Sequence, residues 1–216
     1  MEKLDLKKQL KHLYAPSAKK VVVVDVPEFR FAMIDGALEA DTTPQTSPAF
    51  QGAVGALYSL SYTLKFMSKR NKENAIDYAV LPLEGLWWSA SGEFDLSAPS
   101  DWRWTLMIMQ PEHITSAMFQ AARQQAEEKQ RKEGEPTPTL AQLRFERFHE
   151  GPCIQTMHIG PYAEEPRTIE RMKVFAQDNG YVYRGKHHEI YLGDPRRARP
   201  ENLRTILRQP VKKIRG

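Results

Sequence analysis

Met33-Ile34-Asp35-Gly36, a helix-spaced run, Leu83-Glu84-Gly85-Leu86-Trp87-Trp88 and Met107-Ile108-Met109-Gln110-Pro111 are answered later in the chain. The second series is Met157-His158-Ile159-Gly160, another helix-spaced run, Glu189-Ile190-Tyr191-Leu192 and Ile206-Leu207-Arg208-Gln209-Pro210. Each half reads strand, helix, strand, strand, which predicts an α+β fold of tandem modules. Two similar half-sheets meet at a pseudo-two-fold seam, and a seam between modules is a usual place for a ligand cleft. The 216 residues are read as one domain, with pseudo-repeats over about 21–135 and about 136–216.

Working outward, Val21–Val24 and Phe29–Ile34 read as strands kinked at Pro27, because β-branched and aromatic residues suit a pleated surface. Ser47-Pro48 is a helix start, with a capping hydroxyl followed by proline at the first helical position. Phe50, Val54, Leu57, Tyr58, Leu60, Ser61 and Leu64 then keep helical spacing to about Phe66. Tyr78–Trp88 and Trp102–Gln110 read as strands joined by a turn-rich loop over Ser89–Asp101. Pro111 is expected to open a long polar helix reaching Glu133, with a linker over Gly134–Pro138. Leu143–Phe148 and Cys153–Ile159 read as strands of a hairpin turning at Glu150-Gly151-Pro152. A helix over Glu165–Asn179 closed by Gly180, and strands over 187–192 and 203–209, complete the second half. Ahead of both halves, Leu4, Leu6, Leu10, Leu13 and Tyr14 among lysines suggest a short amphipathic packing arm.

The net charge of +4 gathers partly at the two ends, including a basic stretch from Arg196 to Lys213, and solvated termini explain it without nucleic acid. Aromatics are not interleaved with that stretch, as single-strand binding would require. No apolar run reaches the roughly 20 residues of a membrane helix and the start has no signal-peptide core, so the chain reads as cytoplasmic with no membrane partner. A single cysteine, Cys153, rules out an internal disulfide and fits a small buried hydrophobe in a reducing compartment.

Chemistry concentrates near position 189. In an extended segment His187, Glu189 and Tyr191 share one face while His188, Ile190 and Leu192 take the other, which sets a carboxylate beside a phenol. Glu84 holds the matching place in the first repeat, so the two carboxylates are expected to approach the seam from opposite sides. All four tryptophans, Trp87, Trp88, Trp102 and Trp104, fall on two adjacent strands, and some are expected to form a flat wall for planar or cationic molecules. His158 is placed within reach of Glu189. Adjacent His187 and His188 face opposite ways, and no spacing resembles a zinc motif, so neither a metal nor a cofactor is expected.

Phe31-Ala32-Met33-Ile34-Asp35-Gly36, Thr46-Ser47-Pro48-Ala49-Phe50-Gln51, Leu83–Trp88, His158-Ile159-Gly160-Pro161-Tyr162, His187–Leu192 and Thr205–Val211 together resemble the stand-alone GyrI-like small-molecule-binding proteins. The resemblance spans about Val21 to Val211. It implies a curved antiparallel sheet with helices on one face and a ligand cleft on the other, where a glutamate of the late strand meets a cationic or hydrophobic ligand among aromatic rings. Glu189 matches that glutamate. No segment outside the repeats is long enough for a helix-turn-helix, so no DNA is expected as a partner. Some stand-alone members are described as hydrolases that open the cyclopropane of planar DNA-alkylating natural products. Carried here, the similarity makes Glu189 the base for water and leaves Tyr191 or Tyr162 as the donor to the carbonyl that becomes phenolate. Trp87, Trp88, Trp104, Glu84, His158 and His187 are then the ligand-binding set. The leading expectation is xenobiotic detoxification through an aromatic cleft; the alternative is a non-catalytic drug-sequestering module or an inhibitor of a protein partner.

Overall fold

A computed structural model describes residues 2–89, 101–134 and 138–214. At the start, β1 (Glu2–Leu4) lies parallel to β3 (Ile76–Tyr78), and two single turns, α1 (Leu6–Gln9) and α2 (Lys11–Tyr14), follow β1. The main sheet is built from β2 (Val22–Ala37), β4 (Leu83–Ser89), β5 (Trp102–Gln110), β6 (Arg144–Ile159), β8 (His187–Tyr191) and β9 (Arg204–Lys213), with β7 (Tyr181–Tyr183) added along β9. All its pairings are antiparallel. The order is β6-β2-β5-β4-β8-β9, and β6 also pairs with β9, so the sheet curls shut as a six-strand barrel-like ring.

The helices are laid on by apolar stripes. In α3 (Pro48–Lys69) Ser47 accepts a hydrogen bond from the Phe50 amide at 3.0 Å, and Phe50, Ala53, Leu57, Leu60 and Leu64 are buried at helical spacing. α4 (Ser116–Lys132) packs against α3 and against the short α5 (Pro138–Ala141). A 3-10 turn at Tyr162–Glu164 leads into α6 (Glu165–Asp178), whose Ile169, Met172 and Ala176 cluster with Ile154 and Leu207.

Register fixes two faces of the sheet, since paired residues point the same way. Leu83, Gly85 and Trp87 sit opposite Ile108, Leu106 and Trp104 on one side and opposite Tyr191, Glu189 and His187 on the other. That face is the outer one: Phe50 of α3 lies against both Trp87 and Trp104, and α6 rests on Leu207, the partner of Glu189. Glu84, Leu86, His188, Ile190, Ile206 and Arg208 point inward, where Leu13 and Tyr14 of α2 join them.

Several sequence expectations are corrected. The turn at Glu150-Gly151-Pro152 is not a hairpin: β6 runs straight through it because β2 stays paired across it, Val26 with Gly151 and Asp25 with Pro152. Gly151, at φ +70°, absorbs the bend in a left-handed conformation open to glycine. The two strands expected on either side of Pro27 are likewise one strand of 16 residues. The segment Tyr78–Trp88 is interrupted, since Pro82 lacks a ladder donor. The polar helix begins at Ser116 rather than Pro111 because the Thr115 hydroxyl accepts from the Met118 amide and caps it there. Most of the Ser89–Asp101 loop and of the 134–138 linker lies outside the described residues.

Candidate functional site

Glu189 sits in the middle of β8 on the outer face, 8% exposed, between the α3 and α6 sides of the sheet. The expected separation of helices and acid onto opposite faces is therefore corrected, because the two-residue period that aligns Glu189 with Trp87 also aligns it with the helix-bearing side. Its carboxylate Oε2 accepts the Tyr191 hydroxyl at 2.8 Å, and Tyr191 in turn accepts the Trp87 indole N–H at 2.9 Å. The His187 Nε2 lies 3.5 Å from Oε1. Gly85 makes this possible. It is the β4 partner of Glu189, and a β-carbon there would stand 2.8 Å from Trp87 Nε1 and 3.0 Å from the Tyr191 oxygen. The absent side chain is the space in which indole and phenol meet.

The Tyr162 ring, positioned by Pro161 at the entry to α6, meets the Tyr191 ring edge-on at 6.1 Å. Burial, followed by the charge of Glu189, pushes both phenols well above the ordinary tyrosine range. Trp87 stacks on Phe50 at 5.7 Å and meets Trp102 edge-on at 5.7 Å, which extends an aromatic floor away from the acid.

One residue of this site escaped sequence reading. Glu165 opens α6, is 3% exposed and lies against Glu189 and Thr205. Burial and then the neighbouring Glu189 charge raise its pKa well above the carboxylate range, outweighing the helix N-terminus that favours an anion. A signal was present: Glu165, Ile169, Met172 and Ala176 form one stripe at i, i+4, i+7 and i+11, so helix periodicity alone aims Glu165 at the sheet.

Other candidates lie elsewhere. Glu84 does not approach Glu189, because its partner in register is Ile190 and it points into the ring. There it accepts the Tyr14 hydroxyl at 2.6 Å, and its other oxygen lies 3.0 Å from His188 Nε2. His188 Nδ1 meets Glu150 at 3.0 Å, and Arg208 Nη1 meets Glu150 at 3.3 Å. Arg208 also donates to Gln155 and to the Leu13 carbonyl. With a carboxylate at each nitrogen, His188 is raised to about 9 despite complete burial, and Glu150 is held down at about 2 against its own burial by His188 and Arg208. Two carboxyl groups, one imidazolium and one guanidinium cancel in formal charge.

Trp104 is 1% exposed beneath Phe50, with Gly36 directly under its ring. Trp88 faces the other way from Trp87. Lys186 Nζ lies 3.3 Å from its ring centroid, beside a hollow of about 490 Å³ lined also by Asp35, Arg103, Thr105 and Arg144. His158 turns to α6: its Nε2 lies 3.2 Å from the Pro161 carbonyl, so Nε2 is the donor, and its Nδ1 lies 2.9 Å from the Thr168 hydroxyl. Of the basic stretch, Arg196 and Arg197 are drawn to Asp194 at 3.0 and 3.8 Å.

Among the described residues no helix is long and apolar enough to cross a membrane. The sequence profile of the GyrI-like small molecule binding domain matches residues 19–212. An uncharacterised conserved protein of Listeria innocua is 39% identical, with 97% of this chain and 100% of that one covered and a TM-score of 0.84. A Listeria innocua protein described as a hydrolase is 38% identical over 97% of this chain and 100% of its own, with a TM-score of 0.80. The EcmrR C-terminal domain, 12% identical over 90% of this chain and 98% of its own with a TM-score of 0.53, is alike in fold alone. No curated protein matches.

Proposed function

The chain belongs to the family of GyrI-like small-molecule-binding domains, and we propose that it hydrolyses planar, cyclopropane-bearing electrophiles at Glu189 as a detoxifying protein. The observation that carries this reading is a buried carboxylate oriented by two successive hydrogen bonds, Trp87 to Tyr191 to Glu189, in an aromatic setting. A base held in that way needs no reorganisation when it takes a proton. The 38% identity to the Listeria protein described as a hydrolase supports the same reaction class. The pairing of β2 with β6 and of β4 with β8 supports the tandem-module reading, in which like strands meet across a pseudo-two-fold axis.

In the reaction Glu189 accepts a proton from water as the water oxygen bonds to the ring methylene. The strained carbon–carbon bond breaks, and its electron pair moves into the conjugated carbonyl, whose oxygen becomes phenolate. Tyr191 has its proton committed to Glu189, which favours Tyr162 as donor to that oxygen. Trp87, 2% exposed against Phe50, holds the Tyr191 hydroxyl in place, and the half-buried Trp102 and Tyr162 rings offer aromatic surface to a flat ligand.

The test is turnover. Purified protein should convert a cyclopropane-bearing alkylator to its hydrated, ring-opened product at many equivalents per protein, and Glu189→Gln should stop conversion while keeping tryptophan quenching by the alkylator. Stoichiometric binding without product would establish a sequestering module instead. Normal turnover by Glu189→Gln would remove this mechanism.

A further inference from the structure

Three places compete for a function not yet used: the charged cluster inside the ring, the cationic hollow beside Trp88, and the second carboxyl under Glu189. The interior cluster is closed to solvent and balanced in charge. In the hollow, Arg144 is already held by Asp35 and Glu146 at 2.8 and 3.1 Å, and Lys186 by the Trp88 ring. The second carboxyl, Glu165, is different, because it is 3% exposed against Glu189 and Thr205 and its Oε1 is buried without a hydrogen-bond partner of good geometry.

We propose that Glu165 is the proton-relay residue of this site, sharing a single proton with Glu189 and carrying it back toward Tyr162 after each turnover. The inference rests on the hydrolytic reading above. Two ionised carboxylates in contact at such burial repel strongly, so the pair holds one proton at rest and one negative charge. The titratable groups around Glu165 are Glu189, with His187 and Tyr191 on the same face of β8, Tyr162 from the preceding turn, and His158 of β6, the register partner of Thr205, which bonds to Pro161 and Thr168 on either side of Glu165; the charge of Asp194, in the loop after β8, also acts on Tyr162. Tyr162 and Tyr191 both lie in the field of the two carboxyls, their rings meet edge-on at 6.1 Å, and Tyr191 donates to Glu189 at 2.8 Å.

The relay closes the proton count. Water gives its proton to Glu189 as the carbon–oxygen bond forms, and the cleaved ring leaves a phenolate. Tyr162 gives its proton to that phenolate oxygen, and the tyrosinate is reprotonated by Glu165. The proton held on Glu189 then crosses to Glu165. Every side chain ends as it began, and the proton lost by water is on the product phenol. Glu165 acts through its neighbours and need not touch substrate.

The experiment has two independent arms. In infrared difference spectra of the resting protein, wild type should show the C=O stretch of a protonated carboxylic acid at neutral pH, and Glu165→Gln should lose it. In steady-state hydrolysis of a cyclopropane-bearing alkylator, Glu165→Gln should lower kcat by about 100-fold with KM nearly unchanged, in the range expected for loss of proton transfer. The alkaline limb of the pH profile, set in wild type by loss of the Glu165 proton, should disappear. Formate should restore part of the rate to Glu165→Ala. A wild type without the protonated-acid band overturns the proposal. So does Glu165→Gln with wild-type kcat and pH profile, or a slowed variant with an unaltered profile and no formate rescue, which would mark a structural role. A wild type that binds the alkylator but never turns it over defeats the hydrolytic reading and the relay with it, while the band still reports whether the acids share a proton.

Discussion

The fall in stability between pH 7 and 9 should be steepened by one buried imidazolium. His188 is held between Glu84 and Glu150 at 3.0 Å each, and its pKa is raised from 6.5 to about 9 by those carboxylates against full burial. A group whose folded pKa is raised adds stability that is complete below its unfolded pKa and is lost as pH climbs through the folded one. In that window folded His188 keeps its proton and the unfolded side chain does not, so this one group lowers the unfolding free energy by about 1.4 kcal/mol per pH unit, about 3 kcal/mol in all, while Glu165, whose folded pKa is also raised, adds a decline of the same sign that both proteins share. Urea denaturation at closely spaced pH values reads this directly. His188→Gln should be less stable than wild type at pH 7 and should show a flatter profile toward pH 9. The comparison of slopes cancels groups common to both proteins, such as Cys153, whose thiol burial pushes up. Parallel profiles for the two proteins would mean that His188 is neutral in the fold and that Arg208 alone supplies the interior cation.

Other substitutions probe single contacts. Arg208→Met leaves Glu150 with one cation fewer inside the ring and should cost about 3–5 kcal/mol, read as a lowered urea midpoint with unchanged slope. Ser47→Ala removes the cap of α3 and should cost about 1 kcal/mol in the same assay. Gly36→Ala would put a β-carbon 2.1 Å from the Trp104 ring, and the displaced indole should cost about 1–3 kcal/mol and alter the near-ultraviolet circular dichroism. Gly85→Ala should separate Trp87 from Tyr191 and reduce turnover and alkylator affinity more than stability, so equal loss of stability and activity would count against the site.

The elements that could be read from sequence are those written in local chemistry. Ser47-Pro48 and the stripe from Phe50 to Leu64 announced α3, and the alternation at His187–Tyr191 put Glu189 and Tyr191 on one face, where they bond. Closure of the sheet was not visible. It depends on β6 meeting β9, residues about fifty apart whose pairing leaves no periodic mark in either segment. The same gap misplaced Glu84: matching strands were foreseen, but whether a given residue faces inward depends on register, and a slip of one residue exchanges the faces. Glu165 was passed over because an acid at the first turn of a helix is the ordinary solvated arrangement, and only its alignment with Ile169 and Met172 contradicts that.

Adjacent residues of β8 serve opposite sides of the sheet, and this ties the interior cluster to the outer acid. His188 is anchored inward to two strands at once, to Glu84 on β4 and Glu150 on β6, while β4 and β9 hold the β8 backbone on either side. Glu189 follows it directly, so its Cα has little freedom to move relative to Gly85 and Trp87 on β4. An apolar interior could stabilise the ring as well, since replacing buried ion pairs by packed hydrophobic residues is often neutral. What such an interior would lack is direction. Hydrogen bonds from His188 to two different strands fix the rotation of β8 about its own axis, and that rotation decides whether the Glu189 carboxylate reaches the Tyr191 hydroxyl at 2.8 Å or misses it.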